Sequence, residues 1–173
     1  MRAYALIGRT AADFATLEFH LQFLTSFLIT GKHLSPEAVI LTRRHMFADK
    51  IQLIREFMPF RFPNGHPLRE RVRQLISDLT KLREQRNFFV HGYWLVNWQI
   101  IATERLIRCS DPKWRFDKTK EQWESMESHD IKLTDFETLI RQIGKITHEV
   151  HSILSLLENE QMNGAKTENS VTE

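Results

Sequence analysis

Residues Leu68 to Tyr93 read LRERVRQLISDLTKLREQRNFFVHGY. Leu68, Val72, Leu75, Leu79 and Leu82 alternate four- and three-residue steps, the spacing of one apolar helical face. The same register next reaches Arg86 and Phe89. An arginine therefore stands where the pattern asks for an apolar side chain. Burying an unpartnered charge is costly, so Arg86 must meet an acid, line a wet cleft or face another subunit. Gly92 favours an end to the helix, which is predicted to run from Leu68 to about Val90.

Working outward, Phe14, Leu17, Leu21, Leu24 and Leu28 predict a first helix from near Thr10 to a stop at Gly31. Ser35-Pro36 is an N-cap followed by proline at the first helical position. It opens a second predicted helix reaching about Met58, with Ile40, Phe47, Ile51, Ile54 and Met58 inward. Pro59 to Pro67 holds three prolines, a glycine and an asparagine and is predicted to be a loop. Beyond His91-Gly92 the helical period is lost. The aromatic and β-branched stretch Tyr93 to Ile107 predicts a β-hairpin with its turn near Asn97 to Gln99, and Trp114 to Phe116 a third strand. Thr134-Asp135-Phe136-Glu137 fits a capping box for the last helix. Leu139, Ile143, Ile146, Val150, Ile153 and Leu157 form its inward stripe. The expected fold is all-α: an antiparallel four-helix bundle over residues 1–158, with a β-hairpin insertion at about 93–130. A polar, disordered tail is expected over residues 159–173.

Composition narrows the function classes. The chain has 173 residues, 42% hydrophobic and 27% charged, which is ordinary for one globular domain. Net charge is only +2, but Leu41 to Arg86 holds eleven Lys or Arg against five acids. That local excess suits a polyanion as well as a solvated helix surface. Lys81, Arg83 and Arg44 are its candidates for contact with such a polyanion. Cys109 is the single cysteine, so neither an intrachain disulfide nor a cysteine metal cluster is available. His148 and His151 have ligand-like spacing without a third ligand, and they read as surface histidines. No metal site and no cofactor is expected, and no P-loop or Gly-x-Ser-x-Gly motif is present. The most apolar stretch, Phe19 to Ile29, is too short for a bilayer. A cytoplasmic protein without membrane association is expected.

Arg86-Asn87-Phe88-Phe89-Val90-His91-Gly92-Tyr93 resembles the signature of HEPN domains (higher eukaryotes and prokaryotes nucleotide-binding). That signature is an arginine, a polar residue, and a histidine after four intervening positions. Tyr93 matches the tyrosine two positions beyond the histidine in HEPN toxins paired with minimal nucleotidyltransferases. The resemblance spans roughly Gly8 to Leu157, including a first helix that bears Glu18. It implies a homodimer with two facing motifs, RNA as substrate, and an antitoxin or regulatory protein as partner. The insertion after the motif departs from the smallest HEPN toxins.

The side chains suit that chemistry. RNA cleavage by the ribose 2′-hydroxyl needs a group that moves protons near neutral pH, and His91 is the candidate. It also needs a fixed cation for charge building on phosphate, which the Arg86 fork supplies. Asn87 would orient the ring or bind phosphate, and Tyr93 would bind phosphate or, as the resemblance to HEPN toxins implies, be a modification target. Five helical steps turn through about 500°, so Arg86 and His91 share no face of one continuous helix. Either the helix ends before His91 or a second subunit completes the site. Two plainer readings stand beside this one. Arg86 could pair structurally with Glu18 while His91 caps the helix, or a HEPN-like module could bind a protein or nucleic acid without cutting.

Overall fold

The computed structural model describes residues 2–32, 35–91, 93–95, 106–110, 115–117, 122–124 and 128–169, with side chains described over 2–32, 35–89 and 131–160. The described chain is predominantly helical. The helices are α1 (Arg2–Thr30), α2 (Pro36–Thr42), α3 (Phe47–Arg61), α4 (Arg69–His91) and α5 (Leu133–Asn169). Between α4 and α5 lie short strands β1 (Tyr93–Leu95), β2 (Leu106–Ser110), β3 (Arg115–Asp117), β4 (Gln122–Glu124) and β5 (Ser128–Lys132). They pair antiparallel in the order β1-β2-β5, with β3 and β4 forming a separate pair. The turn expected at Asn97 to Gln99 lies outside the described residues, as does Trp114.

The helix boundaries differ from the sequence reading at five places. Helix α1 starts at Arg2 rather than near Thr10. Ala3, Leu6, Ile7 and Thr10 extend its inner face, and the buried Thr10 hydroxyl donates to the Leu6 carbonyl at 2.8 Å instead of facing water. The single helix expected from Ser35 to Met58 is two helices. The Ser35 hydroxyl caps α2. The Asp49 carboxylate accepts the Met46 backbone N–H at 3.0 Å, so α3 has an N-terminus of its own. This break turns Ile40, expected inward, out to solvent. Helix α3 then runs through Pro59 to Arg61, so the loop between α3 and α4 is shorter than the prolines suggested. Pro59 lies inside this helix near its end, and its nitrogen cannot donate to the Arg55 carbonyl one turn earlier.

The capping box of α5 sits two residues earlier than expected. The Asp135 carboxylate accepts the Lys132 N–H at 2.9 Å, and Glu137, left free of that duty, pairs with Arg2. The helix continues to Asn169, past the point near Asn159 where the sequence placed a polar tail.

The chain divides into two compact units, residues 1–14 with 84–142 and residues 15–83 with 143–173. In the first unit Ala3, Leu133 and Phe136 are buried, and Leu6, Ile7, Phe89 and Ile131 pack against them. In the second, the stripes Leu17-Leu21-Leu24-Leu28, Phe47-Ile51-Ile54-Met58 and Leu68-Val72-Leu75-Leu79-Leu82 are all buried. So are Ile143, Val150, Ile153, Leu154 and Leu157. Each such side chain contributes about 1.5–3 kcal/mol by leaving water.

Two polar devices lock the second unit. The Arg61 guanidinium donates to the carbonyls of Leu28 at 2.7 Å and Ile29 at 3.1 Å, placing a cation on the orphan acceptors that end α1. Arg71 on α4 holds Glu149 of α5 bidentately at 2.9 and 3.0 Å and also donates to the Ser152 hydroxyl. The Glu149 hydrogen bonds raise the Arg71 pKa, with desolvation opposing them.

Candidate active site

Arg86 to His91 lie on one unbroken helix. Helix α4 is helical through His91, its last residue, so of the two alternatives the helix does not end before His91. Arg86 is half-buried and its Nε is shielded from solvent, at the position where the apolar stripe of α4 would otherwise continue. Asn87 is exposed. Asn87 and His91 are four residues apart, so their positions share a helical face while Arg86 leads away from it. The His91 side chain lies outside those described, and Tyr93 opens β1.

The aromatic pair between Arg86 and His91 anchors this end of the helix. Phe88 and Phe89 meet edge to face at 5.3 Å. Phe89 meets the fully buried Phe136 of α5 at 4.9 Å in the same manner. Such contacts add about 0.5–1.5 kcal/mol each beyond burial. The backbone carrying Arg86 and Asn87 is thereby tied to the core of the first unit.

The remaining candidates are dispersed along the chain. Lys81 and Arg83 are exposed on α4, five and three residues before Arg86. Arg44 is exposed on the connection between α2 and α3. Glu18 lies on α1 with its carboxylate 3.5 Å from the Lys50 ammonium. Sequence reading missed Lys50, which is buried among the inward residues of α3. The signal was present, because Lys50 lies three residues beyond Phe47 and four before Ile54, squarely on the apolar face.

His148 and His151 are exposed as expected. The His151 ring meets His20 edge-on at 6.1 Å, and His20 Nδ1 is 2.8 Å from the Thr16 carbonyl. Among the described residues no group of three or more His, Cys, Asp or Glu side chains is arranged to hold a metal ion. Among them, too, no helix is long and apolar enough to cross a membrane.

The fold thus defines a predominantly helical protein with a polar motif closing its fourth helix. Compared with known protein families, curated proteins and solved structures, the chain shows no significant match to any of them.

Proposed function

We propose that this chain is a metal-independent endoribonuclease of the HEPN type, working as a two-fold dimer. Its fold on this reading is an antiparallel four-helix bundle with a β-hairpin insertion. The observation that carries the reading is Arg86, a half-buried guanidinium interrupting an otherwise unbroken apolar stripe, five positions before a histidine that ends the same helix. A purely structural stripe would be served better by leucine. A catalytic one needs a permanent cation held by its neighbours.

Because α4 stays helical to His91, one subunit presents its arginine and histidine about 140° apart around the axis. A second copy facing the first would supply a complementary pair, giving two guanidinium groups and two imidazoles around one phosphate. The 2′-hydroxyl oxygen then attacks phosphorus as a neutral imidazole takes its proton. The P–O5′ bond breaks as the partner imidazolium protonates the departing 5′-oxygen. The products are a 2′,3′-cyclic phosphate and a 5′-hydroxyl. The arginines stabilise the charge that grows on the non-bridging oxygens. Asn87, one helical turn before His91, orients the ring, and Tyr93 assists or takes a regulatory modification. Lys81 and Arg83 continue the positive charge along α4 for the RNA backbone.

A cytoplasmic toxin or defence effector, held by an antitoxin or regulatory protein, is the setting that the resemblance implies. The rival reading is a HEPN-like module that binds protein or nucleic acid without cleavage. Incubating purified protein with mixed RNA in EDTA, beside Arg86→Ala and His91→Ala, decides between them. Cleavage lost in both variants supports the enzyme. Equal cleavage by wild type and variants, or none at all, leaves the binding module.

A further inference from the structure

The corner between α2 and α3 is built as a firm ledge with an uncovered outer face. Gln22 on α1 donates to the Val39 carbonyl at 3.1 Å, and the Ser26 and Thr42 hydroxyls meet at 3.2 Å. Ala38 and Thr42 are buried beneath the ledge. On the outer side Ile40 is 58% exposed, Leu41 63% and Met46 73%. Isolated exposed aliphatics are ordinary, but three large ones within seven residues form a patch.

Charge gives the patch a direction. Arg43 is the C-cap of α2 and Arg44 follows it in the turn, three and four positions after Ile40. Both are exposed, and their side chains enter no ion pair or hydrogen bond among the described residues. The nearby acids are already engaged. Glu37 accepts the Ser35 hydroxyl at 2.6 Å, and Asp49 accepts the Met46 N–H at 3.0 Å. The ledge therefore offers aliphatic surface beside two unoccupied guanidinium forks.

We infer that Ile40, Leu41, Arg43, Arg44 and Met46 form a docking surface for an acidic amphipathic segment of a partner protein. Its aliphatic side chains cover Ile40, Leu41 and Met46, and its carboxylates bind Arg43 and Arg44 through charge-assisted, fork-shaped hydrogen bonds. Single-stranded nucleic acid suits the ledge less well. Base stacking needs exposed aromatic faces, and the adjacent ring, Phe47, is buried. An anionic membrane suits it less well too, because such surfaces recruit clusters of roughly four to eight basic residues. The inference is independent of the ribonuclease reading and takes Arg44 away from RNA contact.

The test is selection of a displayed random library of peptides about 12 residues long on the full-length protein, with counter-selection on Arg43→Glu/Arg44→Glu. Enriched peptides should carry two or more acids beside aliphatics spaced three or four residues apart. In fluorescence anisotropy, a labelled enriched peptide should bind about tenfold more weakly to the double arginine variant and to Leu41→Ser/Met46→Ser, and more weakly at higher salt. Arg43→Gln/Arg44→Gln serves if charge reversal disturbs the circular dichroism spectrum. Oligouridine RNA and phosphatidylserine vesicles form the parallel arms. Enrichment without acids, binding indifferent to both variants, or tighter binding of RNA or vesicles through these residues overturns the inference.

Discussion

The buried ammonium of Lys50 on α3 lies 3.5 Å from the carboxylate of Glu18 on α1. Lys50 is 5% exposed at its side chain and Glu18 24%, so the lysine depends on the pair more than the acid does. Removing Glu18 leaves a cation with little water, whereas removing Lys50 leaves a carboxylate that solvent still reaches. Glu18→Leu should therefore destabilise more than Lys50→Met, by about 3 kcal/mol against about 1. The double variant should recover much of the loss. Urea unfolding of the four proteins measures this, and strictly additive losses would show that the two groups do not couple.

Gly31 closes α1 at φ +72°, donating its N–H to the Phe27 carbonyl at 2.7 Å. A Cβ there would lie 2.8 Å from Arg61 Nη1, part of the guanidinium whose Nε and Nη2 cover the Leu28 and Ile29 carbonyls. Gly31→Ala combines left-handed strain with displacement of that cap. A loss of about 1–2 kcal/mol is expected, read as a fall of several degrees in melting temperature. An unchanged melting temperature would mean that the cap contributes nothing.

Glu37 at the start of α2 has its pKa lowered from 4.5, first by the Ser35 hydroxyl, then by its own backbone N–H. A carboxyl lowered on folding stabilises above its unfolded pKa and loses that contribution as pH falls through the folded value. The Glu37 carboxyl should therefore titrate below 4.5 by carbon-detected NMR and move back towards the ordinary Glu range in Ser35→Ala. A wild-type titration at or above that range would contradict the cap geometry.

If His91 moves protons and Arg86 holds phosphate, Arg86→Ala and His91→Ala should each lose about 10²–10⁴ in cleavage rate while staying folded. Arg86→Lys should recover only part, because an ammonium cannot reproduce the bidentate fork. DNA should survive, lacking the 2′-hydroxyl nucleophile. Cleavage of DNA, or loss of activity in EDTA, would defeat the mechanism even with the arginine and histidine both required.

If the chain is the proposed ribonuclease, positions 86 and 91, about 140° apart around one helix, need a second copy to complete the site. Sedimentation at about 10–50 µM protein, a range suited to weak association, should show a dimer. Wild type mixed with excess inactive Arg86→Ala should lose activity faster than simple dilution. A monomer that cuts RNA would remove the dimeric site from the mechanism.

The inward stripes of α1 and α4 were legible residue by residue, because Phe14 to Leu28 and Leu68 to Leu82 are long, regular and apolar. The division at Arg43 to Met46 was not legible. Ile40 and Phe47 keep apolar character across it, and only the Asp49 cap on Met46 marks a new helix. The same difficulty hid the start of α5, where Asp135 and Glu137 are equally plausible capping acids. The structure gives the first to Lys132 and the second to Arg2.

The candidate site was legible as a disturbance in a period, Arg86 in place of an apolar residue. Its support by Phe89 on Phe136 was not, since it joins residues far apart in the chain. By itself the sequence determined which faces of the long helices must leave water, because periodicity is local and burial follows it. Tertiary structure alone decided that Lys50 is buried against Glu18 and that Arg61 closes α1. It also decided that Ile40, Leu41 and Met46 stay uncovered. Those outcomes depend on which neighbour fills each space, and the energy of a charge or an apolar side chain is set by that neighbour rather than by its place in the chain.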